Sequence, residues 1–151
     1  MLRVPFLLLS LSLLWITLPS PVWAEERIAV IVSPSITDTL DRKELARIYQ
    51  RKQLFWNKGT PIRPVNLSVE HPLRQKFSQL VLGALPEDLV VYWNEQYFHG
   101  IAPPYVLTSE AAIVQFVATT SGAIGYVNAA AVTGTVRVLL FLPLAPTEKH
   151  P

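Results

Sequence analysis

From Leu45 to Phe77 the chain reads LARIYQRKQLFWNKGTPIRPVNLSVEHPLRQKF, a stretch that admits few architectures. Leu45, Ile48 and Tyr49 recur at helical spacing and make one apolar face. Asn57-Lys58-Gly59 marks a turn, because glycine accepts the positive φ that side chains resist. Ile62 lies between Pro61 and Pro64, a setting that suits an edge strand or extended segment better than a central strand. Pro72 falls where a first-turn proline belongs, since the N–H it lacks would have no helical partner there. The order is helix, turn, strand, helix, which is an α/β unit.

Upstream, Ile28 to Val32 (IAVIV) is a β-branched run of the kind buried on both faces of a sheet. Ser33-Pro34-Ser35 ends it, and Asp41 with Glu44 forms a capping box for the helix that carries Leu45 and Ile48. Ser33, Ser35 and Thr37 suit turn and cap geometry better than an anion cradle. Downstream of Pro72, the residues Leu73, Phe77, Leu80 and Val81 make an inward stripe that Gly83 terminates. A further helix starts at Pro86, with Glu87 and Asp88 as helix-start charges rather than an acid–base pair. Tyr92, Trp93 and Phe98 follow, and this aromatic group is expected to be core rather than a stacking platform. Pro103-Pro104 forces an extended link. Thr108 or Ser109 caps a helix that turns Ile113, Phe116 and Val117 inward. Ala123 to Val127 reads as a strand whose glycines admit a close neighbour, and Thr135 to Leu142 as a last strand in the same sheet.

Both chain ends look different. Arg3, the apolar run Phe6 to Leu18 and the small-residue site Val22-Trp23-Ala24 make residues 1–24 a secretory signal peptide, with cleavage before Glu25. The apolar run is shorter than the roughly 20 residues of a membrane span, so no stable membrane insertion is expected after cleavage. A cysteine-free chain has no site for a lipid anchor or a disulfide. Residues 25–142 then form a single α/β domain and 143–151 a Pro-rich flexible tail. Without Arg3, twelve basic side chains face eleven acidic ones, and no basic stripe interleaves with aromatics, which argues against nucleic acid as a partner. Neither a glycine-rich nucleotide loop nor a nucleophile elbow occurs, and His71, His99 and His150 have no companions at metal-ligand spacing. No catalytic residue, metal or cofactor is expected, and the chain does not read as an enzyme.

The ordered set Leu45-x-x-Ile48-Tyr49, Lys52, Trp56, Gly59, Ile62, Pro64-Val65, Arg74 and Phe77 resembles the phosphate-type substrate-binding proteins of ABC transporters, in particular their short single-lobe relatives. Tyr92-Trp93 with Phe98 and Gly100, and Gly122-Ala123-Ile124-Gly125-Tyr126-Val127, extend the likeness, which runs from about Ile28 to Val127. The resemblance implies one lobe of a type 2 periplasmic binding protein, a mixed central sheet flanked by helices. It also implies a periplasmic or secreted solute-binding-type protein. Arg51 stands where that pattern has glycine, and the helix is expected to run on through Lys52 instead. The loop that holds phosphate in the family corresponds here to Ser68–Arg74, where the family's Ser-Gly-Thr run is missing. The candidate ligand-binding residues are Asn66, Ser68, His71 and Arg74, at a strand-to-helix junction that would take phosphate or another oxyanion weakly or with a partner. On the residues alone, Glu70 and Ser68 could instead cap the helix and Arg74 lie on its solvated face. The alternative function is a non-catalytic interaction module of the cell envelope that has lost its ligand. Partners would then be an envelope transporter, a sensor protein or a second copy of the chain.

Overall fold

The computed structural model describes residues 26–144. The expected leader and residues 145–151 of the expected tail lie outside the described residues. Among the described residues, five strands and four α-helices follow in the order β1 (Arg27–Val32), α1 (Arg42–Tyr49), β2 (Arg63–Leu67), α2 (Pro72–Leu82), α3 (Val90–Phe98), β3 (Tyr105–Leu107), α4 (Glu110–Thr119), β4 (Ala123–Asn128) and β5 (Arg137–Pro143). The strands form one mixed sheet in the order β3-β2-β4-β1-β5. Strand β2 runs parallel to β3 and β4, whereas β1 is antiparallel to both β4 and β5. Residues Ile28 to Val32 are wholly buried, as a β-branched run between two strands and under helices should be.

Adjacent residues of β4 direct their side chains to opposite faces, and this sorts the helices into layers. A Cβ built on Gly125 would lie 2.6 Å from Ile113 Cγ2 and 3.2 Å from Val117 Cγ2, so α4 covers that face. On the other face the Tyr126 ring meets Phe77 of α2 and Tyr49 of α1. Local chemistry sets the helix ends. Asp41 and Glu44 exchange hydrogen bonds of 2.8 Å in a full capping box, Ser109 Oγ accepts from the Ala112 N–H at 3.1 Å, and Gly83 closes α2 at φ 69°.

Three expectations need correction. Helix α1 stops at Tyr49 and does not continue through Lys52. Arg51 takes the left-handed conformation itself, at φ 59°, and the Lys52 N–H reaches the Arg47 carbonyl at 2.8 Å while the Arg51 N–H reaches Ile48 at 3.0 Å. That is a Schellman closure with arginine in the glycine position. Second, β2 is an interior strand despite Pro64. The Arg63 N–H turns toward β4, where it bonds the Gly122 carbonyl at 3.0 Å, so the N–H that Pro64 lacks would point the other way. On that side β3 pairs only with residues 65–67, and the missing donor costs nothing. Third, α3 is not core: none of its residues is buried, and Tyr97 and Phe98 are 74% and 87% exposed. Tyr92 ties it to the end of α1, its hydroxyl donating to the Gln50 carbonyl at 2.7 Å.

These packing facts set two outcomes. Gly125→Ala drives a methyl into Ile113 and Val65 and should lower stability by about 1–3 kcal/mol, read as a drop in the urea midpoint. Gly134→Ala, with open space around it and no positive φ, should not lower the midpoint and should raise stability by about 0.4–1 kcal/mol. Arg51→Gly should raise stability by about 0.5–1 kcal/mol, because it removes roughly 1–2 kcal/mol of left-handed strain and adds about 0.4–1 kcal/mol of unfolded-chain entropy.

Candidate functional site

The junction between β2 and α2 lies at the carboxyl end of β2, where open α/β sheets place their ligands. Past Leu67 the chain turns through residues 68–70, and the His71 N–H closes the turn on the Ser68 carbonyl at 3.0 Å. His71 is the N-cap of α2: its Nδ1 accepts from the Leu73 N–H at 3.2 Å. Neither Glu70 nor Ser68 takes the capping role, because the ring reaches the donor from the residue next to the proline. With Nδ1 accepting, the proton of the neutral ring resides on Nε2, which is left as a donor. The Arg74 and Gln75 N–H groups both bond the His71 carbonyl, at 2.9 and 3.2 Å, and Pro72 has none to offer. The first turn of α2 therefore satisfies its own donors.

Beneath the turn lies a buried polar cluster. Asn66 is 5% exposed, and its Oδ1 accepts from the Tyr126 hydroxyl at 3.1 Å. That hydroxyl in turn accepts from the Leu67 N–H at 3.4 Å. The Tyr126 and Phe77 rings stack at 3.7 Å and 3°, with Tyr49 edge-on to Phe77 at 4.7 Å. Tyr49 donates to the Val65 carbonyl at 3.0 Å. Arg74 belongs to this cluster and not to a solvated helix face: it is 8% exposed, and its Nη1 is buried without a hydrogen-bond partner. Ser78 Oγ, one turn further on, is likewise buried and unpartnered. The ion pair among the described residues is Lys76–Glu26, at the surface, so no carboxylate compensates Arg74. An uncompensated buried charge costs several kcal/mol, and a nearby anion would offset that cost. Of the four candidate residues, Asn66 and Arg74 are buried, Ser68 and His71 half-buried.

The sequence reading missed Tyr49, Tyr126 and Ser78. The signal was present for Arg74 and Ser78, since residues 74, 77, 78 and 81 share one face of a helix whose Phe77 and Val81 are plainly inward. The other constellations carry less. Ser33 and Ser35 hydroxyls bond each other at 3.0 Å, as turn residues do. Among the described residues no group of His, Asp or Glu could hold a metal, and no helix is long and apolar enough to cross a membrane.

Burial raises both inward phenols, Tyr126 to about 12 and Tyr49 well above its ordinary value, while the positive charge of Arg74 pulls each back. The neutral phenol is thus favoured in the folded state. The unfolded chain releases these protons near pH 10 and the folded chain releases them later. Their stability contribution is therefore whole below pH 10 and is lost as pH rises toward 12 and beyond. In an alkaline titration followed by phenolate absorbance, Tyr49 and Tyr126 should ionise only together with loss of near-ultraviolet circular dichroism. In Tyr126→Phe that coupled step should shrink by one phenol.

No protein-family model matches the chain, and no curated protein matches it. Solved structures do. An ABC-type phosphate transport receptor from Vibrio cholerae superposes with a TM-score of 0.61 at 19% identity, over 76% of this chain and 45% of that one. A Clostridium perfringens protein described as a phosphate ABC transporter substrate-binding protein, solved with bound phosphate, gives 0.62 at 22% identity, over 76% and 44%. PstS from Borrelia burgdorferi gives 0.58 at 16% identity, over 76% and 46%. The chain thus spans less than half the length of each. Its fold is a lobe-sized α/β portion of the fold seen in phosphate ABC transporter substrate-binding proteins.

Proposed function

We propose that this chain is an exported solute-binding-type protein that takes phosphate or a related oxyanion weakly, or together with a partner that completes the site. The observation that carries this reading is Arg74, a guanidinium nine-tenths buried at the carboxyl end of β2, with Nη1 unpartnered and no acidic side chain among the described residues paired with it. The His71 Nε2–H and the Ser68 hydroxyl supply further donors at the same junction. Weakness follows from the same geometry. The Leu67 and Leu73 N–H groups already have partners in the Tyr126 hydroxyl and His71 Nδ1, so an anion must displace them or do without them. One lobe also presents an open half-site, which leaves part of any anion in water unless another surface closes over it. The solved structures support the reading through the fold, and one of them is described as holding phosphate. Export rests on the signal-like leader, and the surface that would complete the site is an envelope transporter, a sensor or a second copy.

Calorimetric titration of the mature chain with phosphate and with sulfate tests the proposal. A saturable heat is expected, lost in Arg74→Gln and reduced in Ser68→Ala, with circular dichroism showing both variants folded. Flat titrations at millimolar ligand would turn the assignment to an envelope interaction module without a ligand.

A further inference from the structure

Strand β3 pairs with β2 only at residues 65–67, so Arg63 and Pro64 extend past it with no strand paired on that flank. Residues 102–104, which lead into β3, line the space that is left, with Pro104 buried and Pro103 exposed. A notch of about 190 Å³ results at the amino end of β2, opposite the end that leads to Arg74. Its apolar lining includes Pro103, Pro104, Tyr105 and Phe116, and its polar lining is two arginines, Arg51 and Arg63, with no acidic residue among them. Arg51 reaches in from the end of α1, its Nη1 3.4 Å from the Ile62 carbonyl, a long hydrogen bond that leaves most of the guanidinium unused. No hydrogen bond or ion pair among the described residues engages the Arg63 side chain.

The backbone of Arg51 adds an independent observation. It occupies a left-handed position at which glycine would be free of strain. The strain is tolerated where a side chain is wanted at that spot, and strained residues of this kind gather at binding sites. We propose that the notch is a second anion site, separate from the β2–α2 junction, that takes a small carboxylic acid with a flat apolar body. The carboxylate lies against Arg51 and Arg63, where paired N–H groups match its two oxygens. The body rests on Pro103, Tyr105 and Phe116. The volume is below that of a drug-sized pocket, generally about 300–1,000 Å³, so the occupant is one ring or one side chain in size. A free aromatic acid and the carboxyl-terminal aromatic residue of a peptide share this chemistry.

The test titrates the mature chain with benzoate, with benzamide as its neutral counterpart. Two peptides follow, both ending in phenylalanine, one with a free carboxylate and one amidated. Benzoate or the free-carboxylate peptide should bind saturably, and benzamide and the amidated peptide should not. Arg51→Gly and Arg63→Gln should each weaken binding roughly tenfold or more, as for a lost charged hydrogen bond. Arg51→Gly should do so without lowering the melting temperature, which separates recognition from a structural role. Excess phosphate should leave benzoate binding unchanged, and Arg74→Gln should leave it intact, so this site stands or falls apart from the oxyanion junction. Tighter binding of the peptide would assign the site to chain termini, and tighter binding of benzoate to free acids; both uphold it. Equal binding of the neutral counterparts, full affinity in Arg51→Gly, or no heat with any probe would overturn it.

Discussion

The stack of Tyr126 on Phe77 holds the structure together at its most consequential point. It fixes α2 against β4, and an aromatic pair of this kind contributes about 0.5–1.5 kcal/mol beyond the area it buries. The tyrosine hydroxyl goes further than packing. It donates to Asn66 Oδ1 and accepts from the Leu67 N–H, so it finishes the hydrogen bonding of β2 where no neighbouring strand can. Position 125, directly before it, has to be glycine for the mirror reason, because α4 presses on the other face of β4 closely enough to exclude a methyl. Two consecutive residues of one strand thus set the spacing of both helical layers.

That closure shapes the chemistry of the junction. A strand end followed by a helix start offers free N–H groups and a favourable dipole to an anion. Here the chain has partly filled that role itself: the phenol takes one N–H, the imidazole another, and a proline removes a third. What remains for a ligand is charge rather than a cradle. Arg74 keeps a buried guanidinium nitrogen unmatched, and it draws down two phenols that burial pushes up. The oxyanion site proposed at this junction, built on one buried cation and few backbone donors, should discriminate poorly among oxyanions.

The alternation of elements was readable from residues alone, because it rests on short-range chemistry. The Asp41–Glu44 box, the first-turn Pro72, the terminal Gly83 and the run Ile28–Val32 each act within a few residues of themselves. What escaped depends on partners distant in the chain. Pro64 argues for an edge strand unless one knows that β3, some forty residues on, stops short of it. Arg51 argues for a continued helix unless its neighbours repay the left-handed strain. The aromatic α3 looked like core because its composition is core-like, yet both faces of the sheet around β4 are already taken, by α1 and α2 on one side and α4 on the other. The burial of Arg74 was legible locally, on a helix face shared with Phe77 and Val81; what was not legible is the distant Tyr126 beside it.

The same dependence explains why Arg74 and the Arg51–Arg63 pair sit at opposite ends of β2. At its carboxyl end the Tyr126 side chain from β4 packs on the inward face of α2, where Arg74 is buried. Its amino end extends past the short β3 into a notch lined by the double proline, where Arg51 is half-buried and Arg63 exposed. A buried cation and an accessible pair therefore arise from one fact of topology, a second strand whose neighbours cover it unequally along its length. Buried charge favours a compact ligand that repays desolvation, whereas the accessible pair beside prolines and aromatics favours a ligand with an apolar body to shed water from. The two ends should accordingly differ in ligand class and not merely in affinity.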